Sequence, residues 1–153
     1  MNAQHETDRL AALFGLAGKN ALVVGGGQGM GEASCKALAA AGCNLAVLDF
    51  VAERADAVAA QLATEFDITA IGLQADVLDD AAAVAAVTAA GERLGGIDLL
   101  VTIVGQAGYV PLVEMSVDTW DLDHRRNLRY VFVMAQAWAK ARIAAARPGA
   151  LVR

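Results

Sequence analysis

The chain has 153 residues, of which 57% are hydrophobic and 19% charged, and its formal net charge is -5. This length and composition are typical of one packed globular domain. The acidic balance disfavours nucleic acid as a partner, because binding to a phosphate backbone needs a clustered basic face. No apolar stretch approaches the roughly 20 residues of a membrane helix, and the first ten residues lack the pattern of a secretory signal. The sequence therefore predicts a cytoplasmic protein that binds neither nucleic acid nor membrane.

Short apolar runs along the chain predict buried β-strands. Each run carries few polar side chains, which is typical of strands that are covered on both faces. The predicted strands span residues 20–24, 45–48, 69–73 and 99–104, and a fifth begins at 150–153.

Helices are predicted between these strands from apolar residues that recur at helical spacing. Gly42 stands where a left-handed cap would end the first helix, and Gly95 and Gly96 break the third. The predicted inner faces are Met30, Ala33, Ala37, Leu38 and Ala41 in the first helix, Ala55, Val58, Leu62 and Phe66 in the second, and Val84, Val87 and Leu94 in the third.

Capping residues mark where the last two helices begin. Asp79 or Asp80 can cap the third helix, and Ser116 can cap a longer helix over residues 117–145. Strands separated by helices of this length pair in parallel through right-handed crossovers. The sequence therefore predicts an α/β protein with three αβα layers and a doubly wound parallel sheet that stops after the start of its fifth strand.

The two cysteines carry no sign of special chemistry. Cys35 and Cys43 fit neither a metal-binding spacing nor a disulfide framework. Each falls where a small apolar residue would serve, so both are predicted to be buried free thiols in a reducing cytosol. No metal site is predicted.

A glycine-rich segment, residues 25–31, lies between the first strand and the first helix. Glycine in such a turn permits positive φ angles, lets the main chain approach a ligand, and allows the helix to pack tightly on the sheet. The free amides at the start of the helix favour phosphate. The segment therefore predicts a binding site for the pyrophosphate of a dinucleotide, and the alternative is a flexible loop.

An acid at the end of the second strand strengthens this interpretation. Asp49 stands 18 residues after Gly31, where a carboxylate can accept hydrogen bonds from the hydroxyls of the adenosine ribose. The same carboxylate repels a 2′-phosphate, which favours NAD over NADP unless Arg54 turns back to bind that phosphate. Asp76, just past the third strand, is a candidate for the edge of the adenine. The alternative for both acids is an ordinary solvated side chain.

From Leu16 onward the chain resembles the short-chain dehydrogenase/reductase family. The resemblance rests on residues that agree with the family's motifs in type, order and spacing. These residues are the three glycines Gly25, Gly29 and Gly31, the acid Asp49, the segment Ala75-Asp76-Val77, and further along Pro111-Leu112, Trp120 and Asn127-Leu128.

The resemblance implies a Rossmann fold and an NAD-dependent oxidoreductase that passes a hydride between the nicotinamide and a small alcohol or ketone. It also implies that Asn127 supports the family's proton relay and that the complete protein is a homo-oligomer built on its long helices. The implied cofactor-binding residues are Gly25, Gly27, Gln28, Gly29, Met30, Gly31, Asp49, Phe50, Asp76, Val77, Val104 and Gly105.

Two departures from the family pattern concern the glycine-rich loop. Val24 replaces the usual threonine before the first glycine, and the family's Asn-Asn-Ala-Gly is Thr102-Ile103-Val104-Gly105 here. We hypothesise that Val24 packs against Ile103 in place of the missing polar contact. A structure with these two side chains far apart would contradict the hypothesis.

The chain ends before the positions of the family's catalytic serine, tyrosine and lysine. In the family, a tyrosine whose pKa is lowered by a lysine four residues later exchanges a proton with the substrate. No such pair exists here, since the fourth residue after Tyr109 is Val113 and the fourth residue after Tyr130 is Met134. We therefore expect the chain alone to be inactive.

Three interpretations of the chain remain open. In the first, residues 16–153 are the front part of an incomplete NAD-binding Rossmann domain, preceded by a lead-in over residues 1–15. The apolar strand start at 150–152 favours this interpretation, because an exposed strand edge invites aggregation. The alternatives are a non-catalytic dinucleotide-binding module and a half-protein that a partner chain completes.

Overall fold

A computed structural model describes residues 15–153, so the predicted lead-in lies outside the described residues except for Gly15. Strands and helices alternate along this part of the chain. The elements are β1 (Asn20–Val24), α1 (Gly29–Ala40), β2 (Asn44–Asp49), α2 (Ala52–Phe66), β3 (Ala70–Gln74), α3 (Asp80–Leu94), β4 (Leu99–Thr102), a 3-10 turn (Leu112–Glu114), α4 (Val117–His124), a π-helical turn (Arg125–Arg129), α5 (Tyr130–Ala144) and β5 (Ala150–Val152).

The strands form one parallel sheet in the order β3-β2-β1-β4-β5. At the carboxyl end of β1, Val24 lies beside Leu48 of β2 and Thr102 of β4. The direction of winding reverses between β1 and β4, and ligands of such sheets bind in the crevice at the carboxyl ends of those strands. The predicted doubly wound Rossmann architecture is confirmed.

The sheet separates two hydrophobic cores. The core under α3 and α5 takes Leu22 and Val24 from β1, whereas the core under α1 and α2 takes Ala21 and Val23. Successive residues of a strand point to opposite faces, so a strand that is covered on both sides must be apolar throughout. This explains why β1 appears in the sequence as one continuous apolar run.

The hypothesised packing of Val24 against Ile103 is wrong. Val24 lies in the core under α3 and α5, but Ile103 packs against the core under α1 and α2. Because Val24 pairs with Thr102, the next residue faces the other side of the sheet. Only the backbones meet, where the Ile103 N–H donates to the Val24 carbonyl at 3.0 Å. The side chain that lies next to the loop is Val104, beside Gly25.

The buried face of α1 differs from the predicted one. Gly31, Cys35 and Ala39 are buried, so the helix is turned relative to the face that its larger apolar residues indicated. Because α1 is rich in alanine, its apolar periodicity is weak, and contact with the glycine-rich loop decides the rotation. The residues that were wrongly predicted to face inward are Met30, Ala33 and Ala37.

The other two predicted faces are closer to the structure. In α2, the core packs on Ala55, Val58 and Leu62 as predicted. In α3, Val87 is buried as predicted, but Val84 is 40% exposed. Small residues face the sheet where Val84 was predicted to do so, because α3 packs closely on the sheet through its alanines. The buried alanines of α3 are Ala83, Ala86 and Ala90.

The predicted caps are present. The Asp79 carboxylate accepts hydrogen bonds from the N–H groups of Ala81 and Ala82, so Asp79 rather than Asp80 caps α3. Ser116 accepts from the N–H of Thr119 at the start of α4.

The helix predicted over residues 117–145 is not regular. A π-helical turn over Arg125–Arg129 separates α4 from α5. Such a turn holds one extra residue, so it shifts the direction of the side chains that follow it, and it occurs frequently at functional sites. The sequence shows no proline or glycine here that would have indicated the irregularity.

Both cysteines are buried free thiols, as predicted. Burial raises the pKa of Cys35 from an ordinary value of 9.0 to about 12 and the pKa of Cys43 to about 11. The thiolate is the reactive form of cysteine, so both side chains are inert near neutral pH.

Across residues 15–153, no helix combines the length and the apolar content that crossing a membrane requires. In the same range, no three His, Cys, Asp or Glu side chains lie close enough together to hold a metal ion.

Candidate functional site

The glycine-rich loop leaves the carboxyl end of β1 and turns sharply into α1. Gly25 has a φ of 85°, in the left-handed region that favours glycine. The N–H groups of Gly25 and Gly26 both donate to the Leu48 carbonyl, at 2.8 and 2.9 Å. These two hydrogen bonds anchor the loop on the end of β2.

Gly31, in the first turn of α1, lies directly against this loop. A Cβ atom at this position would overlap the carbonyl oxygen of Gly25. Only glycine therefore allows the helix to approach the loop and the sheet this closely, which is the packing role that its place in the motif predicted.

The N-terminus of α1 is open to an anion. Gln28 occupies the N-cap position with an extended backbone, and its side chain makes no capping hydrogen bond. The first N–H groups of a helix have no partner within the helix and carry partial positive charge. The loop thus leads into an amide-lined end that suits phosphate oxygens. Gln28, Gly29 and Met30, three of the predicted cofactor-binding residues, lie here.

Asp49 joins the loop to the end of β2 and is only 7% exposed. Its Oδ2 accepts from the Gly27 N–H and its Oδ1 from the Val51 N–H, both at 3.0 Å. A Cβ on Gly27 would lie 2.6 Å from Oδ2, so this glycine lets the loop and the acid meet. Each carboxylate oxygen has a second lone pair, which leaves both oxygens able to accept from a ligand hydroxyl.

A cavity of about 420 Å³ lies at the carboxyl ends of β1 to β4. Its position at the reversal of the sheet is where a ligand is expected. The predicted residues that line it are Gly25, Asp49, Phe50, Asp76, Val77, Val104 and Gly105. The remaining predicted residues belong to the adjoining loop and the start of α1, and they are Gly27, Gln28, Gly29, Met30 and Gly31.

Sequence reasoning missed part of the lining. Val24 and Leu48 are apolar residues beside predicted positions at the strand ends, so the strand register could have indicated them. Arg126 directly precedes the Asn127-Leu128 motif, but it is not part of that motif. The missed residues are Val24, Leu48, Leu78, Gln106 and Arg126.

Asn127, on the π-helical turn, holds the loop that follows β4. Its Nδ2 donates to the carbonyls of Gln106 and Asp123 at 2.6 and 2.8 Å, and its Oδ1 accepts from the Gln106 N–H at 3.1 Å. The side-chain amide therefore satisfies both backbone groups of Gln106. Since Gly105 and Gln106 line the cavity, Asn127 supports the cavity wall. Its role in a proton relay stays a prediction.

We expect Asn127→Ala to lower the free energy of unfolding by about 1 to 2 kcal/mol, because both backbone groups of Gln106 lose their partner. Urea unfolding measures the loss, and hydrogen exchange at the Gln106 amide localises it. The control is Gln136→Ala on α5, since Gln136 is exposed and, among the described residues, its side chain accepts one hydrogen bond, from Lys140. An unchanged exchange rate at Gln106 in Asn127→Ala would show that the amide does not hold this loop.

The two tyrosines of the chain lie in different surroundings. Tyr130 is 1% exposed and donates its hydroxyl to the Val104 carbonyl at 2.7 Å. Burial raises the pKa of Tyr130, whereas a catalytic phenol needs a pKa lowered towards neutral. Tyr109 is 98% exposed. The expectation that the chain alone is inactive stays a prediction.

Three arginines lie on the π-helical turn, and they differ in their partners. Arg125 donates to the Leu78 carbonyl at 3.1 Å, and Arg129 forms an ion pair with Asp80. Arg126 is partly buried and lines the cavity. Within residues 15–153, no side chain or carbonyl forms a hydrogen bond or an ion pair with Arg126.

The geometry agrees with the comparison to known proteins. The family model described as short chain dehydrogenase matches residues 19–153. The chain belongs to the short-chain dehydrogenase/reductase family. The family uses a nicotinamide cofactor, and the open helix end, the acid on β2 and the cavity beside them fit such a group.

Relatives of this short-chain dehydrogenase/reductase include enzymes named for polyols. It is 40% identical to the D-threitol dehydrogenase of Mycolicibacterium smegmatis over 139 residues, which cover 91% of this chain and 53% of that protein. It is 32% identical to the sorbitol dehydrogenase of Cereibacter sphaeroides over 137 residues, covering 90% of this chain and 52% of that protein. The chain spans about half the length of the curated relatives it matches.

Solved structures show the same fold. A short chain dehydrogenase from Burkholderia cenocepacia, solved in complex with NADP, superimposes with a TM-score of 0.76 at 40% identity. The superposition covers 82% of this chain and 51% of that one.

Proposed function

We propose that residues 16–153 are the cofactor-binding part of an NAD-dependent oxidoreductase that transfers a hydride between nicotinamide and an alcohol or ketone. The observation that carries the proposal is the pairing of the open N-terminus of α1 with the Asp49 carboxylate, which accepts from the Gly27 N–H at 3.0 Å. The helix end would bind the pyrophosphate and the carboxylate would accept from the ribose hydroxyls. The bound cofactor supplies the hydride acceptor or donor.

The preference for NAD rests on Asp49. Its carboxylate is nearly buried and lies at the ribose position beside the loop, so a 2′-phosphate would be placed next to a like charge with little water to screen it. Arg54 could offset this charge, because its Cβ lies close to Gly27. The B. cenocepacia relative was solved with NADP, so cofactor preference has to be measured on this chain.

The substrate class is an alcohol or ketone of low molecular weight. Two relatives are named for the polyols D-threitol and sorbitol, and a polyol is therefore the first class to test. The described residues contain no tyrosine suited to proton transfer, so we propose that this chain binds the cofactor without turning a substrate over.

Calorimetric titration of the purified chain with NAD and with NADP tests the proposal. We expect NAD to bind at least about tenfold more tightly than NADP. Hydrogen bonds from the ribose hydroxyls to the charged Asp49 carboxylate contribute roughly 1.5 to 3 kcal/mol. No binding of either dinucleotide would contradict the cofactor site, and preference for NADP would contradict the role of Asp49.

Turnover is measured separately, with D-threitol and sorbitol as substrates and the absorbance of reduced cofactor as the signal. We expect none from the chain alone, and measurable oxidation would overturn the proposed inactivity. Reading the coding DNA beyond Arg153 then separates the interpretations, since an in-frame Tyr-x-x-x-Lys supports an incomplete enzyme. A stop codon there supports a binding module or a half-protein.

A further inference from the structure

Arg126 is the one cationic side chain among the described residues that line the 420 Å³ cavity. Two carboxylates, Asp49 and Asp76, line the same cavity, yet neither forms an ion pair with Arg126. Asp49 accepts from the N–H groups of Gly27 and Val51, and Asp76 accepts from the Leu78 N–H at 2.8 Å. The guanidinium therefore keeps its N–H donors free of partners among the described residues, and it lies on the cavity wall where a ligand can meet it.

The other lining residues identify which part of a dinucleotide Arg126 would meet. Asp49 is at the position proposed for the adenosine ribose, and Asp76 with Val77 is at the position proposed for the adenine. The pyrophosphate is assigned to the start of α1, and no residue of α1 lines this cavity. Arg126 therefore faces the base end of the cofactor rather than its phosphates.

We propose that the guanidinium of Arg126 stacks on the adenine base of the bound cofactor, an inference that rests on the proposed function. A guanidinium is planar and weakly hydrated, so it packs face to face on aromatic rings and gains cation–π energy. The rest of the cavity wall is largely apolar and would keep water from the base. The apolar lining residues are Val24, Leu48, Phe50, Ala75, Val77, Leu78 and Val104.

The π-helical turn explains why this arginine alone is available. Arg125 is bound to the Leu78 carbonyl and Arg129 to the Asp80 carboxylate. On the same turn, Asn127 is bound to the loop after β4, and Arg126 lines the cavity wall. One irregular turn thus shapes the wall and supplies its cation.

Binding of adenosine and of NAD to the purified chain tests the proposal, because adenosine contains the base but no phosphate. We expect Arg126→Ala to weaken both ligands by about fivefold to tenfold, the loss typical of a partly desolvated cation–π contact. Arg126→Lys should restore less than half of the binding free energy that Arg126→Ala loses, since lysine keeps the charge but not the plane. Arg147→Ala is the matched control and should leave both affinities within about twofold, because that exposed arginine does not line the cavity.

The outcomes separate this inference from the proposed function. If the unaltered chain binds neither NAD nor adenosine, the cofactor site itself is wrong. If the unaltered chain binds both and Arg126→Ala binds them equally well, only the role of Arg126 is wrong. A loss of NAD affinity with unchanged adenosine affinity, or full recovery by lysine, would show a phosphate contact instead of a stack on the base.

Discussion

Gly31→Ala is expected to lower the free energy of unfolding by about 3 kcal/mol, the upper range for overpacking a tight contact. The added Cβ would overlap the Gly25 carbonyl oxygen, and backbone on both sides leaves no flexible side chain to give way. To relieve the overlap, α1 has to move away from the loop. The N–H groups at the start of α1 move with it, so we also expect NAD affinity to fall by at least about tenfold.

Urea unfolding and calorimetric titration of the same preparation measure both effects. The matched control is Gly91→Ala in the interior of α3, where an added Cβ would meet nothing within 4 Å. That substitution should stabilise the protein by up to about 1 kcal/mol, because alanine favours helix more than glycine does. Native stability and native NAD affinity in Gly31→Ala would show that the loop and helix are not packed as described.

Asp49→Ser is expected to reverse the cofactor preference. The substitution removes the charged acceptor for the ribose hydroxyls, so NAD affinity should fall by about 10- to 100-fold, as expected for hydrogen bonds to an ionised group. It also removes the like charge beside a 2′-phosphate and supplies a hydroxyl donor. NADP affinity should therefore stay the same or rise, and titration with both cofactors measures the change in their ratio.

Stability has to be followed in the same experiment, because Asp49 also binds the Gly27 and Val51 amides. Asp49→Asn serves as the second variant, since it keeps an acceptor oxygen and the side-chain shape while losing the charge. Asp118→Ser, which removes an exposed acid on α4, controls for net charge. A folded Asp49→Ser or Asp49→Asn protein that still prefers NAD to the same degree would contradict the role of this carboxylate.

Several local features could be predicted from the sequence because their causes are local. A strand covered on both faces has to be apolar where it is buried, and the middle residues of β1 and β2 are. Asp79 and Ser116 were found as helix caps because a cap is a contact between residues two or three positions apart. The glycine-rich loop was found because turns and close approaches of the backbone favour glycine, as the positive φ of Gly25 and the close packing of Gly31 show.

The orientation of α1 could not be predicted in this way. Alanine is small enough for the inside or the outside of a helix, so the periodicity indicated Met30, Ala33 and Ala37 as the buried face. The structure buries Gly31, Cys35 and Ala39 instead. The helix turns this face inward because Gly31 must lie against Gly25. The hydrophobic periodicity of the helix does not indicate this contact.

By itself, the sequence determined the order of strands and helices, the fold class, the family, the glycine-rich loop and the acid that ends β2. These features depend on neighbours in the chain, or on the ends of parallel strands, which necessarily meet at one edge of the sheet. Only the tertiary structure decided that Val24 and Ile103 face opposite cores, and that Arg126 and Asn127 form part of the cavity wall. For the first pair the physical reason is the register of β1 against β4, which pairs Val24 with Thr102 and turns Ile103 to the other face. For the second it is the π-helical turn, whose position depends on tertiary packing and not on a local sequence signal.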